Sequence, residues 1–188
     1  MYKNISKYTN EILKRRYKSF KLYIEETHKI KQLCNNEKIR MFGLPEDISE
    51  NIIKQICNNK LNDVSITRMY KTGDLFSVKE GKQECKCFTS NGPISFSPSS
   101  NFDILYLLDA RDLLNDIFIL YKFPFGNKSE IFKNIKINKN QTFEDQCNQK
   151  RRPRITWNSL SIQLKPYYIK LYEGTFDNIF IPLEEVKE

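Results

Sequence analysis

An α/β fold, with a central mixed β-sheet flanked by helices, is predicted by three features of the chain. Apolar residues recur at helical spacing near the N-terminus, four short apolar and β-branched runs occupy the middle, and helical segments return towards the C-terminus. At 188 residues with 39% hydrophobic content, the chain has enough material for one core and not comfortably enough for two. We expect one unit over residues 1–188, with helices in 1–60, the sheet in 70–124, and a basic region with further helices in 139–188. No internal repeat, Gly/Ser linker or low-complexity tail divides it.

The first helix is expected over about residues 6–33, where Tyr8, Ile12, Tyr17, Phe20, Ile24 and Ile30 recur among charges. A second begins near Pro45. It carries Glu46 and Asp47 in its first turn, where carboxylates face the positive end of the helix dipole, and runs through Ile48, Ile52, Ile53 and Ile56 to a stop at Asn58-Asn59. Strands are expected at 75–78, 84–88, 104–108 and 117–123. Lys79-Glu80-Gly81-Lys82 suits a hairpin turn, so the first two strands should be antiparallel neighbours. Short helices are expected at 142–149 and 157–164, separated by the basic Lys150-Arg151-Arg152-Pro153-Arg154. Phe88, Phe96, Phe102, Tyr106, Phe118, Phe123 and Trp157 read as core residues.

The formal charge is +8, from 31 Lys and Arg against 23 Asp and Glu, which suits a polyanionic partner. Nucleic acid leads and an anionic membrane surface is second. Residues 1–21 are polar and basic, without the apolar stretch of an export signal, and no run reaches membrane-spanning length. A cytoplasmic protein is expected. The five cysteines contain no CxxC pair, and the one histidine, His28, is remote from them in sequence, which argues for free thiols and against a zinc site.

Asp74, Glu84 and Lys86 carry the chemistry. Residues two apart in a strand share a face, so Glu84 and Lys86 project together while Cys85 and Cys87 point the other way. A turn centred near Gly81 would bring Asp74 back beside Lys86 and Phe88, to within about two residues of register. Two carboxylates with a phosphate oxygen are hard ligands suited to Mg²⁺, and Lys86 could polarise an attacking water beside a scissile phosphate. On spacing alone, an ordinary amphipathic hairpin accounts for the same three residues.

Gly73-Asp74, nine residues, then Glu84-Cys85-Lys86 resembles the PD-(D/E)XK nuclease signature, with Gly73 in place of its proline. Glu80-Gly81-Lys82 offers a second acid-x-Lys, set aside because Gly81 belongs to the turn. The stretch Gly81 to Ser90 with Gly92-Pro93 and Ser95-Phe96, together with Gln141-Thr142-Phe143-Glu144-Asp145-Gln146 and Arg151-Arg152-Pro153-Arg154-Ile155, is similar to small type II restriction endonucleases. Within these it is nearest the group that cuts GCNGC. The resemblance implies a restriction-endonuclease-like sheet with a catalytic hairpin, Asp74 and Glu84 as metal-binding acids, Lys86 as the catalytic lysine and Mg²⁺ as cofactor. It further implies Glu50 as a supporting acid on the preceding helix, and a cognate DNA methyltransferase.

Base reading calls for Arg on guanine and Asn or Gln on adenine, which singles out Arg151, Arg152 and Arg154, with Gln146 and Gln149 assisting. Lys150 and Lys139 are expected on phosphates, and Thr89, Ser90 and Asn91 on the backbone or a groove. Symmetric double-strand cutting implies a homodimer, with the N-terminal helix as the dimer element. The expected function is Mg²⁺-dependent, site-specific cleavage of double-stranded DNA. A repair or recombination nuclease and a non-catalytic DNA-binding protein remain as alternatives.

Overall fold

A computed structural model of the protein describes residues 9–35, 39, 42–62, 66–68 and 74–181. Gly73 and Tyr8 therefore lie outside the described residues. The first helix, α1 (Asn10–Leu33), opens at Thr9, whose hydroxyl accepts the Ile12 N–H at 3.3 Å. It buries Leu13, Tyr17 and Ile24. Ile30, expected on the apolar face, is instead 50% exposed, because no residue of α1 beyond Ile24 is buried. The second helix, α2 (Glu46–Lys60), buries Ile48, Ile52, Ile53 and Ile56 and ends two residues past Asn58.

The strands are β1 (Thr67–Arg68), β2 (Leu75–Ser77), β3 (Gly81–Phe88), β4 (Pro93–Ser95), β5 (Ile104–Asp109) and β6 (Ile117–Phe123). After them come α3 (Glu130–Lys133), β7 (Lys136–Asn138), β8 (Gln141–Thr142), α4 (Phe143–Asn148), β9 (Arg154–Thr156), α5 (Trp157–Leu164) and β10 (Ile169–Thr175). The main sheet is ordered β1-β2-β3-β5-β6-β10. Only β3 and β5 are parallel within it; the other pairs are antiparallel. Two small sheets, β4-β9 and β7-β8, stand apart from it.

Every residue of β5 is buried, because the central strand is covered on both faces. Tyr106 and Leu108 join the α1 and α2 layer with Ile52, Ile53 and Phe118. Leu105 and Leu107 point the other way, to Phe96, Phe132, Phe143, Trp157 and Leu160. The period of two thus sorts one strand between two cores. The aromatic residues expected in the core are all buried there. Phe132 is the hub of the second layer, meeting the rings of Phe96, Phe102, Phe125 and Phe143.

The hairpin of β2 and β3 pairs Leu75 with Gln83 and Ser77 with Gly81. Its turn occupies Val78 to Glu80, and Gly81 opens β3 with φ of +76°. That left-handed backbone favours glycine, and a Cβ at Gly81 would also collide with the Asp103 carboxylate. The turn therefore sits about two residues earlier than expected. Asp74 is brought level with Glu84 and Cys85, not with Lys86 and Phe88.

Two parallel neighbours need a crossover, and residues 89–103 supply it between β3 and β5. This crossover contains β4, which pairs with β9 through Pro93–Thr156, Ile94–Ile155 and Ser95–Arg154. The chain leaving β3 is thereby tied directly to the basic segment sixty residues on. Among the described residues, no helix is long and apolar enough to cross a membrane.

Candidate active site and the adjoining groove

Glu84 and Lys86 share one face of β3, as the alternation requires, and the Lys86 Nζ lies 2.6 Å from Glu84 Oε1. Glu84 is 7% exposed, so a carboxylate is held in the protein with an ammonium directly on it. The Ser100 hydroxyl approaches the same oxygen at 3.5 Å. Asp74 stands just beyond the last paired residue of β2, and its Oδ2 accepts the Cys85 N–H at 2.7 Å. Its carboxylate extends the hairpin where the backbone pairing stops. The structure therefore brings Asp74, Glu84 and Lys86 together at one end of the hairpin.

Electrostatics tie the same groups together. Burial works to lower the pKa of Lys86, but the charge and hydrogen bond of Glu84, reinforced by Asp74, outweigh it and hold the ammonium above the ordinary lysine value. Cys85 faces the opposite layer, where burial pushes its thiol well up and Asp74, Glu50 and Glu84 push it further. Glu50 lies buried on α2, on the Cys85 side of the sheet. Asp74 lies just outside β2 and Glu84 within β3, and the charges of both act with that of Glu50 on the Cys85 thiol.

Among the described residues, no group of three or more His, Cys, Asp and Glu side chains forms a ready metal cage. A hard divalent cation does not require one. Mg²⁺ is commonly held by one or two carboxylates with substrate phosphate and water completing its shell, and Asp74 with Glu84 fit that donor set. The ammonium on Glu84 shows that this carboxylate is placed to receive a positive charge.

Beside the hairpin runs a groove of about 940 Å³. Lys86, Thr89, Ser90, Gly92, Ser95, Arg152 and Arg154 line it, with Phe42, Gly43 and Glu46 on the helical side. The Ser95 hydroxyl is buried without a hydrogen-bond partner among the described residues. Arg152 and Arg154 are exposed, while Pro153 between them is buried and its carbonyl accepts the Phe96 N–H at 3.0 Å. This alternation turns both arginines outward into one groove.

The remaining expected contacts divide. Arg151 is exposed but does not line the groove, and its N–H donates to the Gln146 carbonyl at 2.9 Å. Lys150 takes a left-handed φ of +56° at the turn after α4. Gln146 is only 6% exposed, and its amide donates to Gln141 Oε1 at 3.2 Å. It faces inward, because the helical period of α4 buries it beside Phe143. Gln149 accepts from the Gln141 amide at 3.0 Å and shares with Lys139 a shallow depression of about 730 Å³, away from Lys86. The Asn91 side chain is engaged by Arg111, at 2.8 Å.

Sequence reasoning passed over Ser95, Ser100 and Arg111. The buried Asp109 at the end of an otherwise apolar strand, with Arg111 two residues on, was the available signal for the last. His28 bonds Gln32 within α1 and takes no part in the site.

A family model described as Bsp6I restriction endonuclease matches residues 8–164 of the chain. A relative named type II restriction enzyme Bsp6I, from Bacillus sp. (strain RFL6), is 34% identical over 129 residues, covering 66% of this chain and 68% of the relative. No solved structure matches. The matched segment contains the hairpin, the crossover with β4, and the basic segment that pairs with it. The chain belongs to the Bsp6I restriction endonuclease family.

Proposed function

We propose that this protein is a type II restriction endonuclease that hydrolyses phosphodiester bonds at a short specific site in double-stranded DNA, using Mg²⁺. The observation that carries the reading is the shared groove: Lys86 of the Asp74–Glu84–Lys86 cluster and the exposed Arg152 and Arg154 line the same cleft. Chemistry and base reading need to be adjacent in a site-specific nuclease. A non-catalytic DNA-binding protein has no use for two acids and a lysine there.

Asp74 and Glu84 would hold the cation, and Glu50 supports them from α2. When bound, a divalent cation supplies Lewis acidity towards the scissile phosphate and offsets the charge that develops on it. Lys86 positions and polarises the attacking water. The Lys86 ammonium, on the same strand face as Glu84, stabilises negative charge developing on the phosphate. Thr89, Ser90 and Lys150 meet the DNA backbone, Lys139 and Gln149 extend contact beyond the groove, and Arg152 and Arg154 read base edges.

Cutting both strands of a symmetric site is most simply done by two copies about a two-fold axis. The part of α1 beyond Ile24 exposes Ile30 and Leu33, which would meet a second copy. A monomer by light scattering, both free and on DNA, would remove the dimer. The proposed site is GCNGC, the preference of the group the motifs resemble, and a methyltransferase protecting that site is the implied companion.

Incubation of plasmid and phage DNA with Mg²⁺, beside an EDTA control, followed by sequencing of the ends, tests this reading. Discrete fragments with one shared end sequence, mapping to GCNGC in the uncut DNA, are expected. Binding without cutting, across metals and pH, would leave a DNA-binding protein.

A further inference from the structure

We propose that Arg111 and Asn91 form a clamp that fixes the catalytic strand relative to the recognition arginines, making Arg111 a positioning residue for sequence-specific cleavage. The inference rests on the groove reading above and assigns Asn91 a role through Arg111 rather than through DNA.

The clamp is anchored at the end of the central strand. Asp109 is 5% exposed and receives Arg111 three times: from Nε at 2.9 Å, from the second guanidinium nitrogen at 2.6 Å, and from the backbone N–H at 3.1 Å. Such a forked contact to a buried carboxylate leaves the guanidinium plane little freedom. The ring of Phe88, last residue of β3, lies 5.4 Å from the guanidinium carbon. The remaining nitrogen then donates to Asn91 Oδ1 at 2.8 Å.

Asn91 sits in the corner between β3, which carries Glu84 and Lys86, and β4, which pairs Ser95 with Arg154. Thr89, Ser90 and Gly92 of that corner line the groove itself. Holding Asn91 therefore sets the distance between the reacting end of the groove and its reading end. A displacement of about 1 Å between such groups can cost about a hundredfold in rate.

Removing Arg111 would strand a buried carboxylate, so Asn91 is the cleaner handle. Asn91→Ala should preserve the melting temperature and lower the single-turnover rate on prebound cognate DNA by at least about tenfold. Discrimination against sites differing by one base pair should narrow. Asn91→Asp, which still accepts from the guanidinium, should recover most of that rate. Amide exchange in residues 89–92 should rise about tenfold in Asn91→Ala and stay near wild type in Asn91→Asp, a readout that needs no cleavage. In Arg111→Lys, whose ammonium lacks the fork, adding Asn91→Ala should cost no further rate. Wild-type exchange at 89–92 in Asn91→Ala would overturn the clamp, as would wild-type rate and discrimination. Failure of wild-type protein to cut would instead strike the proposed function, leaving exchange to decide the clamp.

Discussion

Lys86 holds Glu84 at 2.6 Å, so the ammonium sits where a divalent cation would share that carboxylate. The two positive charges would compete for one acid. Lys86→Ala should lower cleavage by roughly 10²- to 10³-fold, as expected for loss of a donor that stabilises negative charge developing in the transition state. Binding of Mn²⁺, followed by electron paramagnetic resonance, should be no weaker than in wild type. Weaker binding would place Lys86 in support of the metal site rather than beside the reacting water.

Glu80 separates the two acid-x-Lys sequences. Its carboxylate accepts from the Tyr106 hydroxyl at 3.1 Å and pairs with Lys122, joining the hairpin turn to β5 and β6. Glu80→Gln should cost about 1.5–3 kcal/mol in urea unfolding and leave cleavage near wild type at a temperature where the variant is folded. A loss of activity comparable to that of a Glu84 variant would reverse the assignment.

The basic residues should part company in binding assays. Arg154→Ala should cost about 1–3 kcal/mol on cognate DNA and relax preference at one position of the site. Lys139→Ala should weaken binding evenly across sequences and reduce the salt slope by about 1. Fluorescence anisotropy over a range of salt, on cognate and scrambled duplexes, distinguishes the two patterns.

Phe132 tests the second core layer. With no exposed surface and four aromatic neighbours, Phe132→Ala should destabilise by about 3–5 kcal/mol. Ile162→Ala, 76% exposed on α5, should stay within about 0.5 kcal/mol of wild type.

The thiols should report burial. Cys57 and Cys85 are buried, and desolvation pushes the Cys85 and Cys87 thiols up, which keeps them as unreactive neutral groups. Burial raises Cys147 as well, while Cys34 is exposed at the end of α1. A thiol reagent at neutral pH should find one fast-reacting cysteine in the native protein and five after denaturation.

Much of the fold was legible where periodicity ran long enough. The isoleucines of α2 mark its buried face, and β6 and α5 fall at 117–123 and 157–164 as expected, each bounded by a clear change in pattern. Strands of three residues or fewer, such as β4 and β9, are too short to carry a period. β10 is not legible because it is an edge strand with only Tyr172 buried, so Lys170, Glu173 and Gly174 mask its alternation. At the site, the shared face of Glu84 and Lys86 followed from strand geometry alone. The exact register of Asp74 did not, since a glycine marks a turn without showing whether it centres or closes it, and Gly81 closes this one. The Arg111–Asn91 contact spans twenty residues across a parallel crossover, and no local pattern announces it.

The most direct test of the central claim is single-turnover cleavage of a duplex bearing the mapped site by Asp74→Asn, Glu84→Gln and Lys86→Ala, each with circular dichroism to establish folding. The account predicts that all three bind the duplex while losing cleavage by about 10²-fold or more, with Glu80→Gln cutting normally. Folded Asp74, Glu84 or Lys86 variants that cut at the wild-type rate would place the reaction elsewhere in the protein.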